Sequence, residues 1–340
     1  MELERVSAWV MLAALVAYVL LGGADFGAGV WDLLAGGRRK RAQRDLIAHA
    51  IGPIWEANHV WLIVVIVLMF TCFPPAFAAV MTALHVPVTL VLVGIVLRGT
   101  SFTFRTYTGG GAAGSPELWG RLFSIASVLT PVLLGVVIGT IASGRLRWEE
   151  GVYTAGFFAP WLRPFPWVVG AFVLAIFSFL AAVYLCAEAG EHDLREDFRR
   201  RALAAAAGVG VCAAAAWVMA YRGAPLLSTN LAGSWWTWPL QISTGLAAVG
   251  AIAALIARKF LLARALAVLQ VTLIVLGYGA ALFPYLVVPD FTIESTASPV
   301  LTHRLVLGAL AAGAVILLPS LYYLFRIFKG RRAFALIDAD

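Results

Sequence analysis

Charge is what this sequence has least of: Asp, Glu, Lys and Arg make up 13% of its 340 residues, while 62% are hydrophobic. A soluble domain carries roughly 25% charged residues. So few charges cannot coat a water-facing surface of this size, and lipid is the solvent the composition demands. Cysteine is nearly absent as well. Cys72, Cys186 and Cys212 stand far apart with no CxxC, which argues against a disulfide framework and a thiolate metal site. They read as small apolar fillers. The N-terminus has no basic n-region, and the apolar run behind it is too long for a secretory signal, so that run is expected to be a retained span. Long polar stretches are also missing: the connections at 98–120, 144–163 and 222–238 are too short to be domains. Gly109-Gly110-Gly111 lacks the Lys-Ser/Thr that a phosphate-binding loop requires and reads as a cytoplasmic turn.

What is present is one apolar run after another. A membrane helix needs about 20 such residues. Nine spans are expected, at 8–35, 46–72, 76–97, 122–144, 164–187, 202–221, 239–257, 265–285 and 305–325, forming a single polytopic domain over 1–340. Pro74-Pro75 marks a turn between the second and third. If the N-terminus is outside, the cytoplasmic loops and tail hold 19 of the Lys and Arg residues and the outer side holds 6. That asymmetry obeys the positive-inside rule. It also explains the net charge of +7 without a nucleic-acid partner. The expected fold is an all-α membrane protein with its N-terminus outside and its C-terminus in the cytoplasm.

Two acids inside these runs carry the chemistry. Asp25 lies within Gly22-Gly23-Ala24-Asp25-Phe26-Gly27-Ala28-Gly29, and Glu56 within Trp55-Glu56-Ala57-Asn58-His59-Val60-Trp61. An acid at the bilayer centre costs about 2.5–3.5 kcal/mol on insertion scales, so it faces protein or water and commonly has a task. Counting from the inner ends of the first two spans puts both acids roughly 15 Å into the membrane. They are therefore expected to be level, in adjoining helices. Asp32 follows Asp25 by seven residues on nearly the same face, and the three acids together suggest a ladder for protons. The plainer reading is an acid that only hydrogen-bonds a neighbouring helix, with Asp32 at the interface. Gly22, Gly23, Gly27 and Gly29 give that helix a small-residue surface for close packing. His59, one turn from Glu56, reads as its neutral hydrogen-bonding partner rather than a haem or metal ligand, because His49, His85, His192 and His303 lie at other depths or at loop ends. Arg98 reads as a snorkelling anchor at the inner end of the third span, or as a holder of a neighbouring subunit's carboxylate.

These segments resemble subunit II of the bd-type terminal oxidases (the CydB family). The match is carried by Gly22 to Gly29, by Ile51-Gly-Pro-Ile-Trp-Glu-Ala-Asn-His-Val-Trp-Leu-Ile63, by Arg98 with Phe102-Thr103-Phe104-Arg105, and by Phe283-Pro284-Tyr285 with Pro289. Weaker similarity runs through Tyr184-Leu185, Gly190-Glu191 and Leu318-Pro319, so the resemblance covers the whole chain. It implies a fold of two four-helix bundles plus one helix in a bacterial cytoplasmic (inner) membrane. It further implies a partner, the haem-bearing subunit I (CydA-like), which binds haem b and haem d, oxidises quinol and reduces oxygen. A small single-helix subunit often accompanies the pair. This chain would bind no haem itself, can hold a structural quinone, and would contribute a cytoplasmic proton path. Asp25 and Glu56 match the path's acids, with Asn58, His59, Trp55, Trp61, Arg98 and Asp32 in support. The common Trp-Asp-Gly-Asn is here Trp55-Glu56-Ala57-Asn58, and Thr103 stands where many members carry an acid, so the path's entrance is expected to differ.

Two other classes fit buried acids: a proton-coupled transporter, and a purely structural partner of a divergent bd-like oxidoreductase. A transporter often shows matched Gly/Pro-broken spans in its two halves, and only the first two spans here are rich in such features.

Overall fold

The computed structural model describes residues 2–51, 55–107 and 116–337. Helix dominates, because long apolar stretches in lipid must satisfy their backbone groups internally. In chain order the helices are α1 (Leu3–Leu33), α2 (Lys40–Ile51), α3 (Trp55–Cys72), α4 (Pro74–Ala83), α5 (His85–Tyr107), α6 (Pro116–Ala142), α7 (Pro164–Glu188), α8 (His192–Gly223), α9 (Pro225–Gly233), α10 (Thr237–Ile256), α11 (Phe260–Leu282), α12 (Ile293–Thr296) and α13 (Val300–Ile337). Two antiparallel hairpins, β1 (Trp148–Glu149) with β2 (Val152–Tyr153) and β3 (Tyr285–Val287) with β4 (Phe291–Thr292), lie in the loops after α6 and α11. The first turns through Glu150 and Gly151, both at positive φ, as a two-residue hairpin requires.

Among the described residues, eight helices are long and apolar enough to cross a membrane, or nine if α3 and α4 count as one bent span. The expected second span, 46–72, includes residues 52–54, which lie outside the described residues. α2, which carries Lys40, Arg41, Arg44 and Asp45, is polar along one side and is described to Ile51, and α3 is described from Trp55. Glu56 is the second described residue of α3. The turn expected at Pro74-Pro75 is present, with both prolines opening α4, which bends 114° from α3. Proline suits a first turn, where its missing N–H is no loss. The Gly109-Gly110-Gly111 stretch lies outside the described residues.

α1, α3, α5 and α6 pack as one group and α7, α8, α10 and α11 as another. α7 joins them by lying against both α1 and α6, and α13 rests on α1 and α3. Close approach at the junction depends on missing side chains. A Cβ on Gly27 would fall 1.9 Å from the Phe177 backbone oxygen, and one on Gly29 would fall 2.2 Å from Ser127 Oγ. The glycines of α1 thus serve packing, as small residues do where lipid supplies no hydrophobic drive. Phe26, Phe123, Phe179, Leu180 and Phe198 fill the core around this contact.

Candidate functional site

The glycine surface leaves α1 pressed between α6 and α7, with Asp25 and Asp32 turned into the protein. Asp25 is 5% exposed and Asp32 0%. Each meets α5 and α6 at its own level. At the upper level, Arg98 on α5 donates from Nη2 to the backbone oxygen of Asp25 at 3.0 Å and from Nε to Ser127 Oγ on α6 at 3.2 Å. At the lower level, Arg105 on α5 donates from Nη1 to Asp32 Oδ1 at 3.0 Å, and Ser124 Oγ on α6 donates to Asp32 Oδ2 at 3.0 Å. Asp25 and Asp32 are seven residues apart, as are Arg98 and Arg105. Seven residues are nearly two helical turns, so α1 and α5, both packed on α6, run in one direction and repeat the contact through the long arginine side chains.

The two rungs differ in their remaining partners. The Asp25 carboxylate accepts from Asn58 Nδ2 on α3 at 2.7 Å. The Arg98 guanidinium is packed against the rings of Phe26 and Phe123, at 4.8 and 5.2 Å. Asp32 instead draws a second cation, with Arg44 Nε of α2 at 3.7 Å. Beyond it, at the arginine-rich end, Arg201 donates to Gln43 Oε1 at 2.8 Å. Gln43 donates to Asp197 at 2.9 Å, and Arg39 holds the same carboxylate through both its oxygens. Polar groups therefore run from that end to Asp25.

The expected pair of acids is level but is not brought together within this chain. Asn58, not Glu56, reaches Asp25; Glu56 is exposed at the surface of α3. His59 turns toward α1, with its ring 5.9 Å from that of Tyr18 and 5.8 Å from that of Phe26, so the expectation that it partners Glu56 is replaced by an aromatic seat. Arg98 is not a snorkelling anchor. It is 1% exposed, because α5 continues nine residues past it to Tyr107 and its charge is met by Asp25 and Ser127 inside the protein. Asp32 is likewise an enclosed ion pair rather than an interfacial acid. Trp61 is half-buried beside the α1–α7 core, while the side chain of Trp55 lies outside the described residues. Thr103 is exposed and donates to the Gly99 oxygen.

Ser124, Ser127, Arg105 and Arg44 complete the site and were not anticipated. The one available signal was the shared seven-residue interval of the Asp and Arg pairs. The serines carry none, being ordinary polar residues of a membrane helix. No group of three or more His, Cys, Asp or Glu side chains converges to hold a metal among the described residues. His59 lies between the rings of Tyr18 and Phe26, His303 shares a hydrogen bond with Ser7, and His49 bonds the Asp45 oxygen.

Fold and site together define a polytopic all-α membrane protein whose first helix carries two enclosed acids facing an arginine-bearing neighbour. The family model for cytochrome bd terminal oxidase subunit II matches residues 3–328, and the chain belongs to that family. It is a multi-pass protein of the inner membrane. It is 22% identical over 321 residues to a putative cytochrome bd menaquinol oxidase subunit II of Bacillus subtilis, covering 92% of this chain and 91% of that one. Cytochrome bd-I ubiquinol oxidase subunit 2 of Escherichia coli K12 is 29% identical over 225 residues, covering 64% of this chain but only 58% of that one. Cytochrome bd ubiquinol oxidase subunit 2 of B. subtilis is 30% identical over 138 residues, covering 40% of each chain. The fold is similar to that of a chain of the bd oxidase from Geobacillus thermodenitrificans, with a TM-score of 0.82 at 23% identity, covering 97% of this chain and 99% of that one.

Proposed function

We propose that this chain is the non-haem subunit II of a bd-type quinol:oxygen oxidoreductase, pairing with the haem-bearing subunit I and supplying part of a proton path from the cytoplasm. In this reading the chain crosses nine times, N-terminus out, as the 19-to-6 distribution of basic residues favours. A small single-helix subunit and a bound quinone belong to the same expectation. When bound in the partner, haem b and haem d supply the electron transfer and oxygen chemistry; this chain's residues handle protons and contact.

The observation that carries the reading is the polar column ending at Asp25. Oxygen reduction consumes protons, and taking them from the cytoplasm makes the reaction electrogenic. Asp32 lies beside two arginines, Arg44 of α2 and Arg105 of α5, which tie α1 to both helices. Asp25 stands one rung further along, its carboxylate accepting from Asn58, and is the acid that gains and loses the proton in this reading. Glu56 shares the exposed side of α3 with Ile63 and Phe70, at heptad spacing. A carboxyl group left against lipid is costly, which supports a protein neighbour over this stripe and a hand-over of protons across it. The transporter reading has no such support.

Asp25→Asn keeps the shape and an acceptor for Asn58 while removing the titrating proton. In proteoliposomes of the assembled complex supplied with quinol, oxygen uptake is expected to fall by roughly the 10²-fold that a positioned proton-transfer group contributes. Wild-type uptake with normal assembly sinks the proton role and leaves a structural brace.

A further inference from the structure

Basic residues are scarce at the end of the bundle opposite the arginine-rich end, yet four of the six there converge. A cavity of about 530 Å³ is lined by Arg145, Arg147 and Arg163, with Pro225, Leu226 and Val288 among its apolar walls. A second cavity of about 230 Å³ shares Ser143, Arg145, Pro160 and Arg163 with it and adds Arg222. Arg147 lies 4.0 Å from Asp290; among the described residues Arg145, Arg163 and Arg222 make no ion pair. Two helices also begin here. α7 opens at Pro164 and α9 at Pro225, and neither has a side-chain cap. Helix starts leave backbone N–H groups unbonded and carry partial positive charge. Three guanidiniums without an ion-pair partner among the described residues and two helix starts thus gather at one pair of cavities, a setting that attracts an anion.

We propose that these adjoining cavities bind the phosphate of an anionic phospholipid. A lipid is favoured over a free phosphate ion because the site continues into apolar surface: Phe165 and Met219 line the second cavity, and Phe157, Phe158, Leu162 and Trp167 stand exposed around it. Aromatic residues at headgroup level are the usual mark of a bilayer interface. The guanidinium fork matches phosphate oxygens in pairs, and the apolar rim receives the acyl chains.

The test is native mass spectrometry of the intact complex, stripped of lipid in detergent and titrated with phosphatidylglycerol, with phosphatidylcholine and inorganic phosphate in parallel. Wild type is expected to retain phosphatidylglycerol in preference to phosphatidylcholine. Arg145→Gln with Arg163→Gln is expected to weaken it at least about ten-fold, the loss of one charge-assisted hydrogen bond, and Arg304→Gln, at the same end but outside the cavities, to leave it unchanged. Should the double variant fail to assemble, Arg222→Gln alone must still weaken the lipid. Equal binding by wild type and the cavity variants overturns the proposal. Equal retention of phosphatidylcholine does too, as does displacement by millimolar inorganic phosphate, which would assign the site to a free anion. An intact complex that takes up no phosphatidylglycerol, its arginines already met by an acidic segment of the partner, overturns it as well.

Discussion

Asp25 and Glu56 occupy the same level on neighbouring helices, and their surroundings could hardly differ more. Asp25 is enclosed by α3, α5 and α6, with Asn58 on its carboxylate and Arg98 on its backbone. Glu56, two residues before Asn58, looks outward from α3. One acid is thus held by this chain, and the other is offered to whatever lies beside it. A level shared by two acids says nothing about whether they meet; the face of the helix decides that, and one residue of offset turns a side chain by about 100°.

That contrast can be broken from the inside first. Arg98→Leu removes a buried cation and strips donors from the Asp25 oxygen and Ser127. Losing one member of a buried charged cluster costs about 3–5 kcal/mol, so the variant is expected to lose assembled complex in detergent. A normal yield and thermal midpoint would show that Asp25 does not need the arginine. Asn58→Ala leaves the Asp25 carboxylate short of one donor, a loss of roughly 1–3 kcal/mol, to be read as a lower thermal midpoint with the complex still formed. Glu56→Gln is expected to change stability by no more than about 0.5 kcal/mol, because Glu56 is exposed and no ion pair holds it among the described residues, and yet to lower quinol-driven oxygen uptake. An unaltered turnover in that variant removes Glu56 from the path, and a large stability loss shows that the outward acid is a structural contact with the partner.

Much of the architecture was legible because lipid imposes one rule, that apolar runs become helices. The acids stood out for the same reason, being expensive where they are. Failures came where a charge was read as a boundary. Arg98 seemed to close a span, yet α5 runs on to Tyr107 because the guanidinium is satisfied inside the protein. Hydropathy reports how apolar a stretch is and not which way each side chain points. It could not show Glu56 outward, His59 against Tyr18 and Phe26, or the serines of α6 completing the rungs.

The repeated interval on α1 and α5 makes the two helices behave like a pair of combs with matching teeth. Sliding one past the other would disengage both rungs together, so neither can shift while the other stays. Inserting a single residue between Asp25 and Asp32 would swing one acid about 100° away from its arginine while leaving every apolar position apolar. Length between these two acids is thereby constrained more tightly than the identity of most residues that fill it.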